Sequence, residues 1–530
     1  MTSQSGPARG PASLIFGPRP RWVIHPVLAA GAYVLNTALA NEITPPGYLR
    51  GLVVAAVLAG ALTITGWAAF RNRWDGALFA TAFILLAVSP VSVGWVWVSL
   101  RGAFGPSLGT LVTGGILIAA LGAIGVRLLQ LRHRGLAVPR PPAEAMNVFS
   151  TALVAIVIAS HGFGGIGQPA AISVPPPAGW SIGDRPTPDI VMLLLDGYPR
   201  SDVLERRLGA NDSSFLDALR ERGFDVATTN HSNYPATGFT LASMFQMRYL
   251  DEVPSLQPFV GTGQQANRAL RDAAESGQAF SILRAAGYRA TMVASGWEHV
   301  TLRNAADRLL DSGELNDVER SSVHRTWLLY LLDAVWPHVF TTELRDRIVH
   351  SFDFLDRVAM DASDAPRFVF VHVPAPHLPL VVKADGTPTD LTASRYETAK
   401  RTGYGMTDSE YADAWQSEID YLDARVLRSI DLLLASESGR EAVIIVMSDH
   451  GYGFEAVPGD TQAKLANLFA ARTPNSPHLL AGGPTPVNWF RILFNEYLGT
   501  EFSLLPDRFF VQVGRQLDLT EVEDPDQITE

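Results

Sequence analysis

Between Trp22 and His161 the chain is a succession of long apolar stretches, at 22–40, 51–70, 76–100, 108–126 and 146–160. Each comes near the roughly 20 residues that a helix needs to cross a bilayer core, the last being the shortest, so about five spans are expected. At 530 residues with a positive mean hydropathy, the chain is too long for one ordinary soluble domain and unusually apolar for a fully soluble protein.

Orientation follows from the arginines, because cytoplasmic loops retain positive charge. Arg9, Arg19 and Arg21 precede the first stretch, Arg71 and Arg73 follow the second, and Arg127, Arg132, Arg134 and Arg140 follow the fourth. The alternate loops hold only Arg50, beside Glu42, and Arg101. The amino terminus is therefore expected inside, and an odd number of spans places the large carboxyl-terminal part outside. Ala38-Leu39-Ala40 resembles a signal-peptidase site after an apolar region, and cleavage there leaves the outside placement unchanged.

The chain has no cysteine, which excludes disulfides, thiolate ligands and a cysteine nucleophile. Its net charge of −11, without clustered Lys and Arg, argues against a nucleic-acid partner. The spacing predicts a cytoplasmic tail over 1–21, a transmembrane domain over 22–161, a Gly/Pro-rich linker over 162–188, an α/β domain over 189–515 and a solvated acidic tail over 516–530. Strands are expected at 190–195, near Val226, at 289–294, 368–373 and 442–447, and helices at 215–222, from Thr240, at 281–286 and 418–434. That alternation predicts a mostly parallel sheet between helices. A mainly helical segment is expected over 305–362, whose apolar run 327–336 is too short to span and either packs on the core, the favoured reading, or lies against the outer leaflet. There is no internal repeat.

Two of these strands end in acids. Ile190-Val191-Met192-Leu193-Leu194-Leu195 runs into Asp196-Gly197, and the apolar run 442–447 into Ser448-Asp449-His450-Gly451. Ligand sites in open α/β sheets form at the carboxyl ends of strands, so both motifs can converge on one metal-centred site. Either alone is also an ordinary Asp-containing turn. Between them, Thr237-Gly238 enters a helix of small residues. Thr237 is a nucleophile once a base or a metal lowers its pKa, or it is simply the N-cap. His377, in the stiff Pro-rich loop Pro374-Ala375-Pro376-His377-Leu378-Pro379, is placed to contact phosphate or move a proton. His372, within the strand end, reads as a hydrogen-bonded structural residue, and Asp420 and Asp423 as surface or capping residues.

The ordered set Asp196-Gly197, Thr237 ahead of Thr240-Leu241-Ala242-Ser243, His377 and Ser448-Asp449-His450-Gly451 resembles the sulfatase-like branch of the alkaline phosphatase superfamily. The layout is similar to lipoteichoic acid synthases and phosphoethanolamine transferases. That resemblance implies one divalent metal ion (Zn, Mn or Mg) on Asp196, Thr237, Asp449 and His450, with the substrate phosphate near His377. It implies a Thr nucleophile carrying a phospho-group from a membrane lipid donor to a cell-envelope glycan or lipid acceptor, and a head-group contact from Trp297, His299 and Arg303. Those two enzyme groups use Glu where this chain has Asp196, so it is not a close copy of either. No Asp-x-x-x-His pair supplies a second metal. A formylglycine sulfatase needs Cys or Ser where Thr237 stands and Arg where Leu241 stands. The rival readings are an extracytoplasmic phosphodiesterase, phosphatase or sulfuric ester hydrolase, and a non-catalytic membrane binding module.

Overall fold

The computed structural model describes residues 22–40, 45–88, 106–134, 140–161, 174–183, 185, 187–257, 263–324, 326–361, 363–393, 406–452, 460–512 and 517–528. Met1–Leu39 and Thr44–Gly165 form one compact unit, and most of the chain from Ile166 onward forms a second. The tail over 1–21 and Arg101 lie outside the described residues.

Among its described residues the first unit holds five helices, His25–Ala40, Pro45–Phe70, Arg73–Ala87, Pro106–His133 and Arg140–His161, one over each apolar stretch. The third stretch continues past the described residues. Among those described, Gly47–Phe70 is long and apolar enough to cross a membrane, whereas Ile118–Leu131 and Glu144–Ser160 are shorter apolar helices. Asn147 closes the start of the first helix, its Oδ1 accepting from the amides of Ile24 and His25 at 3.2 and 3.0 Å.

In the second unit a seven-stranded sheet runs in the order β2-β7-β6-β1-β5-β3-β4. Its strands are β1 (Ile190–Leu195), β2 (Asp225–Val226), β3 (Arg289–Val293), β4 (Arg308–Leu310), β5 (Arg367–Val373), β6 (Val443–Met447) and β7 (Phe469–Arg472). β1 pairs in parallel with both β5 and β6, and β3 with β4 and β5, while β7 runs antiparallel to β6. β1 is buried along its whole length because it is covered on both faces, which is why it reads as an unbroken apolar run rather than an alternating one. Val191, Leu193 and Leu195 enter one core with helices Val339–Met360 and Asp408–Ala435; Ile190, Met192 and Leu194 enter the other with Thr237–Gln246, Gln278–Ala285 and Pro486–Leu493.

Three expectations need correction. Residues 174–183, in the stiffer half of the expected linker, are tied to the domain rather than only spacing it: the Val174 amide donates to Ser276 O, the Trp180 indole donates to Leu498 O at 3.0 Å, and Trp180 and Ile182 pack against the core. The segment over 305–362 is mainly helical as expected, in Asp317–His324, Leu328–Val335 and Val339–Met360, although it opens with β4 at a sheet edge; the correction concerns its apolar run. In helix Leu328–Val335, Leu329 packs inward, but Val335 and Trp336 remain 84% and 59% exposed. The acidic segment is not simply solvated either, since β8 (Phe509–Gln512) and β9 (Leu519–Val522) form an antiparallel hairpin and the stretch beyond is pinned to the domain by Thr461 and Gln462.

Candidate active site

The parallel order puts β1 between β5 and β6, so Asp196, His372 and Asp449-His450 all meet at the carboxyl ends of three adjacent strands. Asp196 and Asp449 are fully buried and His450 nearly so. Gly197 turns the chain at φ +71°, where a side chain is strained, and its amide donates to Asp449 Oδ1 at 3.2 Å, tying one strand end to the other. Gly451 lies so close to the loop after it that a Cβ would sit 2.5 Å from Ala466 O.

One carboxylate oxygen of each acid, Asp196 Oδ1 and Asp449 Oδ2, is buried without a hydrogen-bond partner. His450 Nε2 faces them at 3.5 and 3.4 Å, and its Nδ1 donates to Gly451 O at 2.7 Å, which leaves Nε2 as the coordinating atom. Ligand atoms of Asp196, Asp449 and His450 all lie within 4.8 Å of one another. Two buried anionic oxygens turned on one imidazole nitrogen suit a divalent ion, which compensates charge that hydrogen bonds here do not. Burial lowers the pKa of His450, but Asp449, Asp196 and the Gly451 carbonyl outweigh it and raise the net value. Burial likewise raises that of Asp196, and the His372 hydrogen bond with the charges of His377, His372 and His450 brings it down to about 2.

Thr237 is the first residue of helix Thr237–Gln246, and the N-cap is Ala236, whose side chain makes no capping bond. The N-cap reading of Thr237 therefore fails. Its hydroxyl instead donates to Asp196 Oδ2 at 3.2 Å. Thr240, one turn on, donates to Asp449 O at 2.9 Å and fastens the helix to the second strand end.

His372 is hydrogen-bonded as expected, but its partner is Asp196 Oδ2 at 2.8 Å, which brings it into the site. His377 is partly buried, with Nδ1 2.7 Å from Leu378 O; burial lowers its pKa against the opposing pull of Asp196. Trp297 packs edge-on against His377 at 4.6 Å and against His372 at 6.0 Å between ring centroids. Of the expected head-group set, Trp297 alone is in contact with these groups: His299 Nδ1 sits 3.3 Å from Asp317 Oδ2, and Arg303 forks onto the buried Glu298. Asp420 is exposed, as expected. Asp423 is a correction, being buried with Oδ1 accepting from Tyr198 OH at 3.1 Å, because helix Asp408–Ala435 turns that face into the core.

The loop carrying His377 is braced by Glu418, a residue the sequence did not single out. Its Oε2 accepts from the Val381 and Val382 amides at 2.7 and 3.1 Å, and Oε1 is buried without a partner. Burial pushes this carboxyl up to about 8 against the lowering by the Val382 and Val381 amides. The folded state therefore favours the neutral acid. Its contribution is complete below the unfolded value of 4.5 and is lost as pH rises through about 8. Glu418→Gln, neutral at all pH, is expected to flatten the fall in Tm across that window relative to the parent. Parallel Tm profiles for the two would contradict it.

The mostly parallel sheet thus gathers an acid pair, an imidazole and a helix-borne threonine at its strand ends, a set that suits a divalent ion beside a hydroxyl. A family model of sulfatases matches residues 188–475, and the chain belongs to that family. It is an enzyme of the sulfatase-like superfamily. Among solved structures it is similar to the C-terminal periplasmic domain of EcEptC from Escherichia coli, at 12% identity and a TM-score of 0.40 over 66% of this chain and 96% of that one. Lipooligosaccharide phosphoethanolamine transferase A from Neisseria meningitidis matches at 13% identity and a TM-score of 0.36 over 88% and 82%. Ps i-CgsB matches at 14% and 0.39 over 60% and 73%. No curated protein sequence matches this chain.

Proposed function

We propose that the protein is a membrane-anchored, metal-dependent phosphotransferase that moves a phospho-group from a lipid donor to a cell-envelope acceptor, with Thr237 as nucleophile and Asp196, Thr237, Asp449 and His450 as metal ligands. The observation that carries this reading is the Thr237 hydroxyl on Asp196 Oδ2, beside two buried carboxylate oxygens without partners. A bound divalent ion supplies positive charge that favours the alkoxide form of a hydroxyl and offsets charge on phosphoryl oxygens. Thr237 Oγ1 forms the bond to phosphorus as the donor's ester bond breaks, and the proton Thr237 gives up leaves with the donor's ester oxygen. An acceptor hydroxyl then attacks the phosphothreonine, and its proton returns to Thr237. His377, whose Nδ1 lies on Leu378 O and whose pKa burial lowers, is the group we assign to carry the proton in both steps. His372 holds Asp196 so that one oxygen meets Thr237 and the other faces His450.

Thr237 in place of Cys or Ser and Leu241 in place of Arg weigh against formylglycine chemistry. Purified protein incubated with head-group-labelled phospholipid and several glycan and lipid acceptors is expected to label an acceptor. Release of the labelled head-group phosphate to water alone would make it a hydrolase, and no turnover of any phosphoester would reject the reading.

The arrangement we propose around this site is five spans over 22–161, a cytoplasmic amino terminus and an extracytoplasmic domain. A reporter active only outside the cytoplasm, fused after Glu530, is expected to be active. Labelling of that end from the cytoplasmic side would overturn the orientation.

A further inference from the structure

The turn Ser448–Gly451, which carries two of the proposed metal ligands, is held from behind by the stretch 460–467. The Gly451 amide donates to Lys464 O at 2.9 Å, and Asn467, fully buried, donates through Nδ2 to Ser448 O. Ser448 Oγ in turn donates to His450 O at 2.8 Å. This stretch contains only the five-residue helix Thr461–Leu465, too short to be stable on its own propensity. Its own position therefore depends on what grips it.

Part of that grip comes from the acidic segment 517–528. Gln527 O accepts from the amides of Thr461 and Gln462 at 3.0 and 3.1 Å, two donors at a helix start that have no partner within the helix. Asp524 O accepts from Thr461 Oγ1 at 2.8 Å. Asp526 Oδ1 gathers three groups: Arg200 Nη2 at 2.9 Å, His231 Nε2 at 2.9 Å and Gln462 Nε2 at 3.0 Å. Arg200 is buried, and Asp202 is its other carboxylate partner. Its backbone amide donates to Ala466 O at 3.1 Å, and its Nη1 donates to Asn230 O at 3.3 Å. Asn230 Nδ2 donates to Asn467 Oδ1 at 2.9 Å, and Asn467 reaches Ser448.

We propose that Asp526 is a positioning residue for the metal site, acting through Arg200, Asn230 and Asn467 on the turn that presents Asp449 and His450. The inference rests on the metal reading proposed above and adds a distant carboxylate that contacts neither ligand. Removing its side chain leaves Arg200 with one carboxylate in place of two and takes this acceptor from Gln462 Nε2 and His231 Nε2, residues that keep Arg206 and Arg200 respectively as partners. Stretch 460–467 then loses one of its outer anchors, keeping the Gln527 and Asp524 carbonyls, while the sheet and both cores remain whole. Partners outside the coordination sphere that orient ligands are typically worth about 10- to 100-fold in metal affinity.

The test uses the full chain in detergent, measuring zinc or manganese affinity by competition with a chromophoric chelator, and backbone amide exchange in the ion-free protein. Asp526→Ala is expected to weaken metal binding by about 10-fold, at the lower end of that range, with an unchanged ion-free Tm. It is also expected to speed exchange at Gly451 and Ser448 but not along β1. Asp526→Asn, which keeps an acceptor oxygen, is expected to show a smaller loss in the same direction, and it decides in place of the alanine variant should that one fail to fold. Affinity within twofold of the parent in the deciding variant, or unchanged exchange at Gly451, would overturn the proposal. A parent that binds neither ion would instead overturn the metal reading, and the exchange result would still judge the link from Asp526 to the turn.

Discussion

Thr237→Ala is expected to fold, keep most of its metal and lose turnover by a factor on the order of 10⁴ or more, as removal of a covalent nucleophile does. The geometry gives the substitution little else to disturb. Thr237 makes no capping bond, and its hydroxyl is engaged with Asp196 Oδ2 at 3.2 Å. Losing that bond costs about 1 kcal/mol of stability, a shift of a few degrees at most. Asp196 keeps its His372 contact, and Asp449 and His450 are untouched by the change. A phosphothreonine at position 237 should be recoverable from the parent quenched during turnover with a phospholipid donor, and absent from the variant. Near-parental activity in the variant, with no phosphothreonine in the parent, would remove Thr237 from the chemistry.

The strand-end acids were legible in the sequence because a strand buried on both faces writes itself as an unbroken apolar run, and the residues just after such a run must sit at the sheet edge. Ile190–Leu195 and Val443–Met447 are of that kind. Lateral order is not encoded in the run. That β1 lies between β5 and β6, which brings Asp196, His372 and Asp449 together, is a consequence of long-range pairing. His372 occupies a strand position whose alternation marks it only as inward-facing, so its bond to Asp196 was invisible. The same limit hid Asp423 and Glu418, whose acidic character suggested solvent until helix Asp408–Ala435 was packed against the core. Arg303 and His299 were grouped with Trp297 by nearness in sequence, but Glu298 and Asp317 offered them local partners. The edge strands β2 and β4, and β7 beside β2, have two to four residues each, and of these only the region of Val226 carried a pattern strong enough to read.

Asp449→Asn should separate the metal from the fold more cleanly than any other change. Asp449 Oδ1 is engaged by the Gly197 amide and approached by Ser448 Oγ, whereas Oδ2 has no hydrogen-bond partner and points at His450 Nε2. An asparagine of the same shape keeps its carbonyl on Gly197 and so turns its NH₂ toward the metal position, replacing a negative acceptor by a donor. Affinity for a divalent ion is expected to fall by at least about 100-fold, the upper end of what partners outside the coordination sphere cost. The ion-free protein should lose little stability, because the Gly197 amide keeps its acceptor and the loss is confined to the attraction between Asp449 and His450. The parent should then gain on the order of 4 kcal/mol when the ion is present at about 1,000 times its dissociation constant, and the variant about 1.4 kcal/mol or less at the same concentration. Metal content by elemental analysis, together with Tm with and without added ion, reads both effects. One equivalent of tightly held metal in Asp449→Asn, or an ion-induced rise in Tm equal to the parent's, would place the ion elsewhere.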